Sequence, residues 1–192
     1  VAGLVLGSLR VIGPRPVQIA IAWLVNYIRG TPPMIQIFLI FLALPRIGLT
    51  LNEYWTGVVA LAVVAAGYEV EIVRAAIESI DRGQHDAARA LGMQDAMTLR
   101  LITFPQAIRR MIPALTNELA NVVKASGLLS VIAVNELMQV GNKIIFETFY
   151  FWEVIIQVAV MYLLIVRVLV GISGYLETRV FSFGAAVAED IR

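Results

Sequence analysis

The sequence contains no cysteine and a single histidine, His85, among its 192 residues. The absence of cysteine excludes a disulfide framework, a thiolate metal site and a cysteine nucleophile. One histidine alone makes no metal site. A phosphate-binding loop of the G-x-x-x-x-G-K-[ST] type is also missing, so the chain is not expected to bind ATP. The sequence therefore predicts a chain with no metal and no cofactor of its own.

Charge is scarce and nearly balanced. Charged residues make up 15% of the chain, against about 25% in an ordinary soluble domain. The formal net charge of +1 lacks the basic surplus that is typical of nucleic-acid binding. Hydrophobic residues account for 59%, and the mean hydropathy is +0.82. A soluble fold of this length has too little polar surface to cover such a chain, so the composition indicates an integral membrane protein.

Long uncharged runs are also missing. A helix needs about 20 mostly apolar residues to cross a bilayer, whereas the longest uncharged run, residues 30–45, has 16. Continuous spans therefore require charges inside the membrane. Each costs roughly 2.5–3.5 kcal/mol at mid-depth, so such groups normally face a bundle interior or an aqueous cavity. The charges concerned are Arg29, Glu69, Glu71, Arg74, Glu118, Lys124 and Arg167.

The apolar segments predict four complete helical spans, at about 17–45, 54–80, 111–134 and 150–178. Pro32 and Pro33 remove backbone donors and disfavour helix before them, so the first span is expected to break near residues 29–33. Residues 1–12 are apolar but too short to cross, and we expect them to be part of a truncated first helix. The predicted fold is a single all-α transmembrane bundle over residues 1–192.

Lysine and arginine predict the orientation of the chain in the membrane. If residues 81–110 are cytoplasmic, the opposite side holds only Arg46 and Lys143. The C-terminus is then cytoplasmic, and the loops around 46–53 and 135–149 lie outside. The arginines on the cytoplasmic side are Arg10, Arg15, Arg82, Arg89, Arg100, Arg109, Arg110, Arg179 and Arg192.

Residues 81–104 predict a helix–turn–helix outside the membrane. Asp81, with Gln84 three residues later, resembles a capping box, and Gly92 is placed where a glycine would end the first helix. Asp95 is expected to cap a second short helix that runs toward Pro105. The small residues in this hairpin would let a partner approach closely, as in helix-in-groove docking. On the residues alone, an amphipathic loop on the lipid headgroups is the alternative.

The same segment carries a recognisable motif. It resembles the EAA motif of ABC-importer permeases, with Asp86 in place of the usual Glu and Phe104 in place of the usual Leu. The resemblance implies that the motif helix inserts into a groove on an ATPase subunit and transmits its closure. The coupling segment is then residues 81–110, and the coupling residues are Asp86, Ala87, Ala88, Gly92 and Pro105.

Further positions are similar to the branch of these permeases that imports polar amino acids, the histidine/glutamine permease family. Its RGTP signature matches Arg29, Gly30, Thr31 and Pro32, and Arg74 matches its pattern in the next helix. The resemblance implies a bacterial cytoplasmic-membrane subunit that works by alternating access. Its implied partners are two ATPases, a second permease subunit, identical or paralogous, and a periplasmic or lipid-anchored amino-acid-binding protein. Departures from the pattern are Glu69, Ala75, Ala76 and residues 125–127.

A free amino acid is a zwitterion, so a transport site needs an acceptor for its ammonium group and a donor for its carboxylate. We hypothesise that Glu69 and Glu71 favour the ammonium group. Asn117, Asn121 and Lys124 share one helical stripe and would favour the carboxylate, with Glu118 on the flank. The alternative is structural pairing, either of Glu71 with Arg74 or of Glu71 with Lys124. Arg29 and Arg74 are interpreted as structural.

Other functions compete with this one. A permease for a different small solute would share most of these features. An intramembrane enzyme would need a nucleophile beside a base, but Ser126 and Ser130 have no neighbouring histidine. A passive channel would not need a pair of docking helices.

Overall fold

The computed structural model describes residues 1–180, with side chains for residues 1–175. Every regular element within this range is helical, which confirms the predicted all-α class. A π-helical turn, Leu99–Thr103, joins α6 to α7, and a 3₁₀ segment, Ser126–Ile132, follows α7. The α-helices are α1 (Ala2–Ile12), α2 (Arg15–Gly30), α3 (Pro33–Arg46), α4 (Glu53–Glu78), α5 (Arg82–Ala90), α6 (Asp95–Thr98), α7 (Phe104–Ala125), α8 (Leu137–Thr148) and α9 (Phe151–Val180).

Helix α4 is the centre of the bundle. It has 26 residues, about 39 Å at ~1.5 Å per residue, and packs against α1, α2, α3 and α7. Several of its buried residues belong to three apolar clusters along its length. Ala60 packs with α3 and the 3₁₀ segment, Val70 with α2, and Val73 with α7. This helix therefore fixes the depth of its neighbours.

Helix α1 packs very closely on α4 through two buried glycines. Gly3 lies against Glu69, and Gly7 lies against Val70 and Val73. A Cβ atom at Gly7 would be 2.5 Å from the Cβ of Val73, so no larger residue fits without a shift. This G-x-x-x-G spacing is typical of close helix contacts in membranes. The same spacing was available in the sequence as a signal for this contact.

The predicted first span, 17–45, is divided between α2 and α3. The break falls where the two prolines predicted it, but α2 and α3 meet at 109°. Helix α3 runs antiparallel to α4, because Pro33 shares a cavity with Tyr68 and Ile37 packs with Ala60. The extended residues Thr31 and Pro32 turn the chain sharply enough that α2 cannot continue along the same axis.

The remaining spans are confirmed in part. α4 and α9 match the predicted spans 54–80 and 150–178, and they are the two described helices long and apolar enough to cross a membrane alone. The predicted span 111–134 corresponds to α7 and the 3₁₀ segment, which together meet α8 at 48°. Counting each bent pair as one span gives up to four.

Most of residues 135–149, where the sequence predicted a loop, form helix α8 (Leu137–Thr148). Glu136 caps α8, because its carboxylate accepts hydrogen bonds from the backbone N–H groups of Met138 and Gln139 at 2.8 and 2.7 Å. The helix ends at Phe149, whose φ is +60°. Two-sided capping stabilises a 12-residue helix that is too short to be recognised as a span.

Candidate functional site

The break between α2 and α3 is closed by a buried glutamine. Gln36 is 4% exposed, and its side-chain amide donates to the carbonyl oxygens of Ile28 at 2.6 Å and Thr31 at 3.0 Å. It also donates to the Thr31 hydroxyl at 2.9 Å. Backbone groups released by a helix break inside a membrane need such partners. The signature residues 29–32 are therefore a braced turn.

Glu71 lies at the centre of a charge cluster below this turn. Its carboxylate pairs with Arg10 of α1, with Arg29 of α2 at 3.5 Å, and with Arg74 one turn along α4 at 3.0 Å. Arg74 also pairs with Glu78. Since three arginines from three helices converge on one carboxylate, the cluster of Arg10, Arg29, Glu71 and Arg74 ties α1 and α2 to α4.

The guanidinium of Arg29 also lies over the ring of Tyr68, 5.6 Å from its centroid, which is within the range of a cation–π contact. The structure brings Arg29, Glu71 and Arg74 together as a structural role would require. It does not bring Glu71 to Lys124, since no ion pair joins them among the described side chains. Of the two structural pairings the sequence left open, the geometry favours Glu71 with Arg74.

Helix α7 carries an exposed polar stripe. Asn117, Asn121 and Lys124 are all exposed and are spaced to share one face. Asn121 donates to the Glu118 carboxylate at 3.4 Å, while Lys124 has no ion-pair or hydrogen-bond partner within the described part of the chain. Another face of α7 packs on α4 through the buried Ala107 and Met111. Asn117 and Lys124 therefore lie on the open side of α7, while Asn121 borders the bundle.

Glu118 borders two cavities beside the stripe. One, of about 200 Å³, lies between α3, α4 and α7, and Pro33, Tyr68 and Asn121 also line it. The other, of about 370 Å³, has Glu69 on its wall together with Val1 and Leu4. Glu69 and Glu118 are thus two carboxylates on one largely apolar cavity, while Glu71 lies outside both of these cavities.

Helices α5 and α6 form the predicted hairpin. The Asp81 carboxylate caps α5 by accepting from the N–H of Gly83 at 2.6 Å. At the other end Gly92 has a φ of +75°, and the N–H of Met93 donates to the Ala88 carbonyl at 3.0 Å. This six-to-one bond is typical of a Schellman motif. Arg89 and Asp95 join the two helices at 3.4 Å.

The second helix of the hairpin begins and ends differently from the prediction. Its N-cap is Gln94, with Asp95 as the first helical residue. It does not stop before Pro105, because the π-helical turn carries the chain directly into α7. Pro105 occupies the first turn of α7, where a proline is tolerated. The hairpin is thus continuous with the helix that bears the polar stripe.

Exposure in the hairpin separates the predicted coupling residues. Asp86, Ala87, Gly92 and Pro105 are exposed. Ala88 is 1% exposed, so it packs within the chain, and its coupling role stays a prediction. Its small side chain is needed inside the chain, on the inner face of α5.

The sequence patterns did not identify two residues of the candidate site, one in the hairpin and one at the helix break. Leu91 is 81% exposed beside Gly92, and an exposed leucine in a polar helix is a recognisable signal of a contact surface. Gln36 was hidden inside an apolar helix, where only its position four residues after Pro32 indicated a role at the break.

Comparison with known proteins places this geometry in a family. Residues 1–182 match the family described as the binding-protein-dependent transport system inner membrane component. The chain belongs to this family. The predicted resemblance to ABC-importer permeases is confirmed by this match.

Curated relatives share this inner membrane component over most of their length. The chain is 31% identical over 183 residues to the arginine transport system permease protein ArtQ of Bacillus subtilis (strain 168), which covers 95% of this chain and 84% of ArtQ. It is 33% identical over 180 residues to the probable glutamine ABC transporter permease protein GlnM of the same organism, covering 93% and 83%. Both are named as permeases rather than enzymes.

Solved structures agree with the sequence matches. A chain in the crystal structure of an amino acid ABC transporter with histidines has a TM-score of 0.86 and 33% identity, covering 93% of this chain and 83% of that one. A chain of the MetNI methionine ABC transporter in an inward-facing conformation has a TM-score of 0.77 at 22% identity, covering 91% and 84%, and shares the fold. Family membership implies ATPase and permease partners and a multi-pass location in the inner membrane.

Proposed function

We propose that this inner membrane component is the permease subunit of an ATP-driven importer of amino acids. The names of the relatives support the substrate class, since ArtQ and GlnM are named for arginine and glutamine transport. The chain is proposed to act as one transmembrane domain. An ATPase pair hydrolyses ATP and a separate binding protein delivers the amino acid from outside.

The observation that carries the proposal is the polar stripe of Asn117, Asn121 and Lys124. An exposed ammonium group cannot face lipid near mid-depth without a large cost, and the described chain offers Lys124 no counter-charge. The stripe must therefore face an aqueous pathway or another subunit. A second permease subunit opposite this face would enclose the pathway, which one chain of this length cannot do alone.

Within that pathway the stripe would bind the substrate carboxylate. Glu69 and Glu118, on the cavity beside α1, are then the acceptors for the ammonium group or for a cationic side chain. Glu71 is reassigned to a structural role, because arginines already occupy its carboxylate. This assignment places Glu69 and the charge cluster of Glu71 on different faces of α4.

Coupling to the ATPase is assigned to the α5–α6 hairpin on the cytoplasmic side. Asp86, Ala87, Leu91 and Gly92 form its exposed surface, and the hairpin passes without a break into α7. Closure of the ATPase pair would push the hairpin and move the polar stripe. The bias of arginines toward this side of the chain supports the orientation and a cytoplasmic C-terminus. Arg192 and the side chain of Arg179 lie outside the described residues.

The test is co-purification of the ATPase with the full transporter. Leu91→Asp places a charge in the proposed docking surface, and Gly92→Trp adds bulk beside it, so we expect both variants to lose the ATPase. Leu49→Asp is the matched control, because Leu49 is also an exposed leucine, 54% exposed, beyond the far end of α3. Retention of the ATPase by Leu91→Asp and Gly92→Trp would contradict the coupling assignment.

A further inference from the structure

Helix α2 presents three different faces. Its buried face, with Ile21, Val25 and Ile28, packs on the bundle. A polar face carries Arg15, Gln18 and Asn26. The remaining face is apolar and exposed, and its residues are Ile19 at 53%, Ala20, Trp23 at 74%, Leu24 at 49% and Tyr27 at 54%. A helix inside the bilayer would need no polar face, whereas a helix in water would not expose this apolar one.

The direction of α2 is fixed by its two ends. At its start the side-chain amide of Gln18 donates to the carbonyl oxygens of Val11 and Gly13, at 3.1 and 2.8 Å, and holds the turn from α1. At its end the Gln36 amide holds the carbonyl of Ile28. Between these points α2 lies at 109° to α3. Because α3 runs along α4, α2 must cross α4 rather than follow it.

The depth of the crossing can be read along α4. Val70 packs with α2, and it lies 17 residues beyond Glu53, about 26 Å along the helix. The hydrocarbon core is about 30 Å thick. Exposed Tyr54 and Trp55 mark the other boundary at the start of α4. Helix α2 therefore crosses close to the boundary of the membrane opposite to Tyr54 and Trp55.

We propose that α2 is an interfacial helix that binds the phospholipid surface through Trp23, Leu24 and Tyr27. Its polar face, with Arg15, then faces water and the anionic headgroups. Tryptophan and tyrosine suit this position because each has an apolar ring and a polar atom. Such helices bury their apolar face about 5–10 Å into the boundary between headgroups and acyl chains. The membrane boundary opposite to Tyr54 and Trp55 is the cytoplasmic one if the proposed function is right. Only this choice of leaflet rests on the proposed function.

Intrinsic tryptophan fluorescence tests the depth directly. The sequence has three tryptophans, so the full chain with Trp55→Phe and Trp152→Phe retains Trp23 alone. In vesicles we expect lipids brominated near the headgroup to quench Trp23 more strongly, by about twofold or more, than lipids brominated near the chain end. The reference for a deep position is Leu164→Trp in the chain whose three native tryptophans are replaced, because Leu164 is exposed midway along α9.

Each other pattern overturns the proposal. Stronger quenching by the deep bromines would make α2 part of a crossing span. Quenching by aqueous iodide without quenching by lipid would place Trp23 in water. Protection from both would indicate a protein partner on this face. None of these outcomes depends on substrate or ATPase, so they do not test the transport proposal.

A second readout keeps all three tryptophans. Since the native chain has no cysteine, a nitroxide attached to Leu24→Cys labels one site, with Asn26→Cys as the control on the polar face. The measurement is the access of two paramagnetic relaxation agents to the nitroxide. We expect dissolved oxygen, which concentrates in lipid, to reach position 24, and an aqueous nickel chelate to reach position 26. Equal access of the nickel chelate to both positions would contradict the proposal even if the phenylalanine variants failed to fold.

Discussion

The side-chain amide of Gln36 donates to the carbonyl oxygen of Ile28 at 2.6 Å, across the break between α3 and α2. One side chain thus supplies the donor that the two prolines removed from the backbone. Its bonds to Thr31 hold the extended residues of the turn as well. The 109° angle between the helices therefore has a specific polar support inside an apolar bundle.

The first prediction concerns this support. Gln36→Leu keeps the volume and removes the donor, which leaves the buried carbonyl of Ile28 and the part-buried carbonyl of Thr31 without this partner. An unsatisfied buried group costs about 1–3 kcal/mol, so we expect a clear fall in the unfolding midpoint of the purified transporter. Gln157→Leu is the control, because Gln157 is exposed on α9. If the unfolding midpoint of Gln36→Leu equals that of Gln157→Leu, the role assigned to Gln36 is contradicted.

The second prediction concerns the charge cluster. Glu71→Met leaves Arg10, whose side chain is 15% exposed, without its counter-charge. Breaking a fully buried pair costs about 3–5 kcal/mol, and we expect a smaller loss here, about 2 kcal/mol. The double variant Glu71→Met with Arg10→Met should recover part of this loss. A double-mutant cycle compares the native protein, Glu71→Met, Arg10→Met and the double variant. Thermal unfolding of these four proteins measures the coupling free energy between the two side chains.

Glu78→Gln provides the comparison for that cycle. Its side chain is 52% exposed, and an exposed ion pair contributes about 0–1 kcal/mol. If the cluster is structural, Glu71→Met should lower the stability of the transporter and leave the substrate KM of the folded fraction unchanged. A raised KM at full stability would instead return Glu71 to the substrate pathway.

The third prediction concerns the end of α5. Gly92 has a φ of +75°, which a residue with a Cβ adopts at a cost of about 1–2 kcal/mol. Gly92→Ala should therefore loosen the hairpin and speed hydrogen exchange at the Met93 amide, which bonds to Ala88. Gly171→Ala is the control, since Gly171 lies on α9 with nothing near its Cβ position. Unchanged exchange at Met93 would show that the strain is absorbed elsewhere.

The fourth prediction concerns the cap of α8. Glu136 accepts from two amides of that helix and from the hydroxyl of Tyr162, 3.0 Å away on α9. Removing an N-cap costs about 1 kcal/mol, so Glu136→Ala should raise exchange at Met138 and Gln139 by about fivefold. Glu147→Ala, an exposed glutamate of the same helix, should leave both amides unchanged. Equal exchange in the two variants would mean that packing on α9 alone holds α8.

Sequence patterns predicted the fold class, the break at the prolines and both ends of α5, because each depends on local chemistry. They could not predict the 109° angle between α2 and α3, which the bonds of Gln36 to Ile28 and Thr31 support. Nor could they separate Ala87 from Ala88. Both are small, and only the packing of the hairpin buries one and exposes the other.

The same limit applied to the candidate site. Spacing alone placed Glu71 and Lys124 among the intramembrane charges and left their pairing open. The structure separates them, since Arg10 approaches Glu71 from a helix that is distant in the sequence. Long-range pairing of this kind has no periodic signature. The stripe on α7, by contrast, lies on one helix, so its shared face could be predicted.

The last prediction tests that stripe in transport. The sequence contains two lysines, and Lys124 is the one on the stripe, whereas Lys143 lies on α8 and donates to Asn135 at 3.1 Å. Lys124→Met should abolish amino acid uptake in vesicles, because an uncharged thioether offers no donor to the substrate carboxylate. Assembly and basal ATPase activity should stay intact, since Lys124 has no partner within the described chain. Lys143→Met should transport normally.

Lys124→Arg separates charge from shape in the same assay. If the cation is what the carboxylate needs, this variant should retain part of the uptake with a raised KM, because guanidinium keeps the charge but changes its geometry. Normal uptake by Lys124→Met would refute the assignment. Loss of assembly in both Lys124 variants, with Lys143→Met unaffected, would instead place the lysine in the contact with the second permease subunit. Measuring uptake, assembly and ATPase activity on one preparation distinguishes these results.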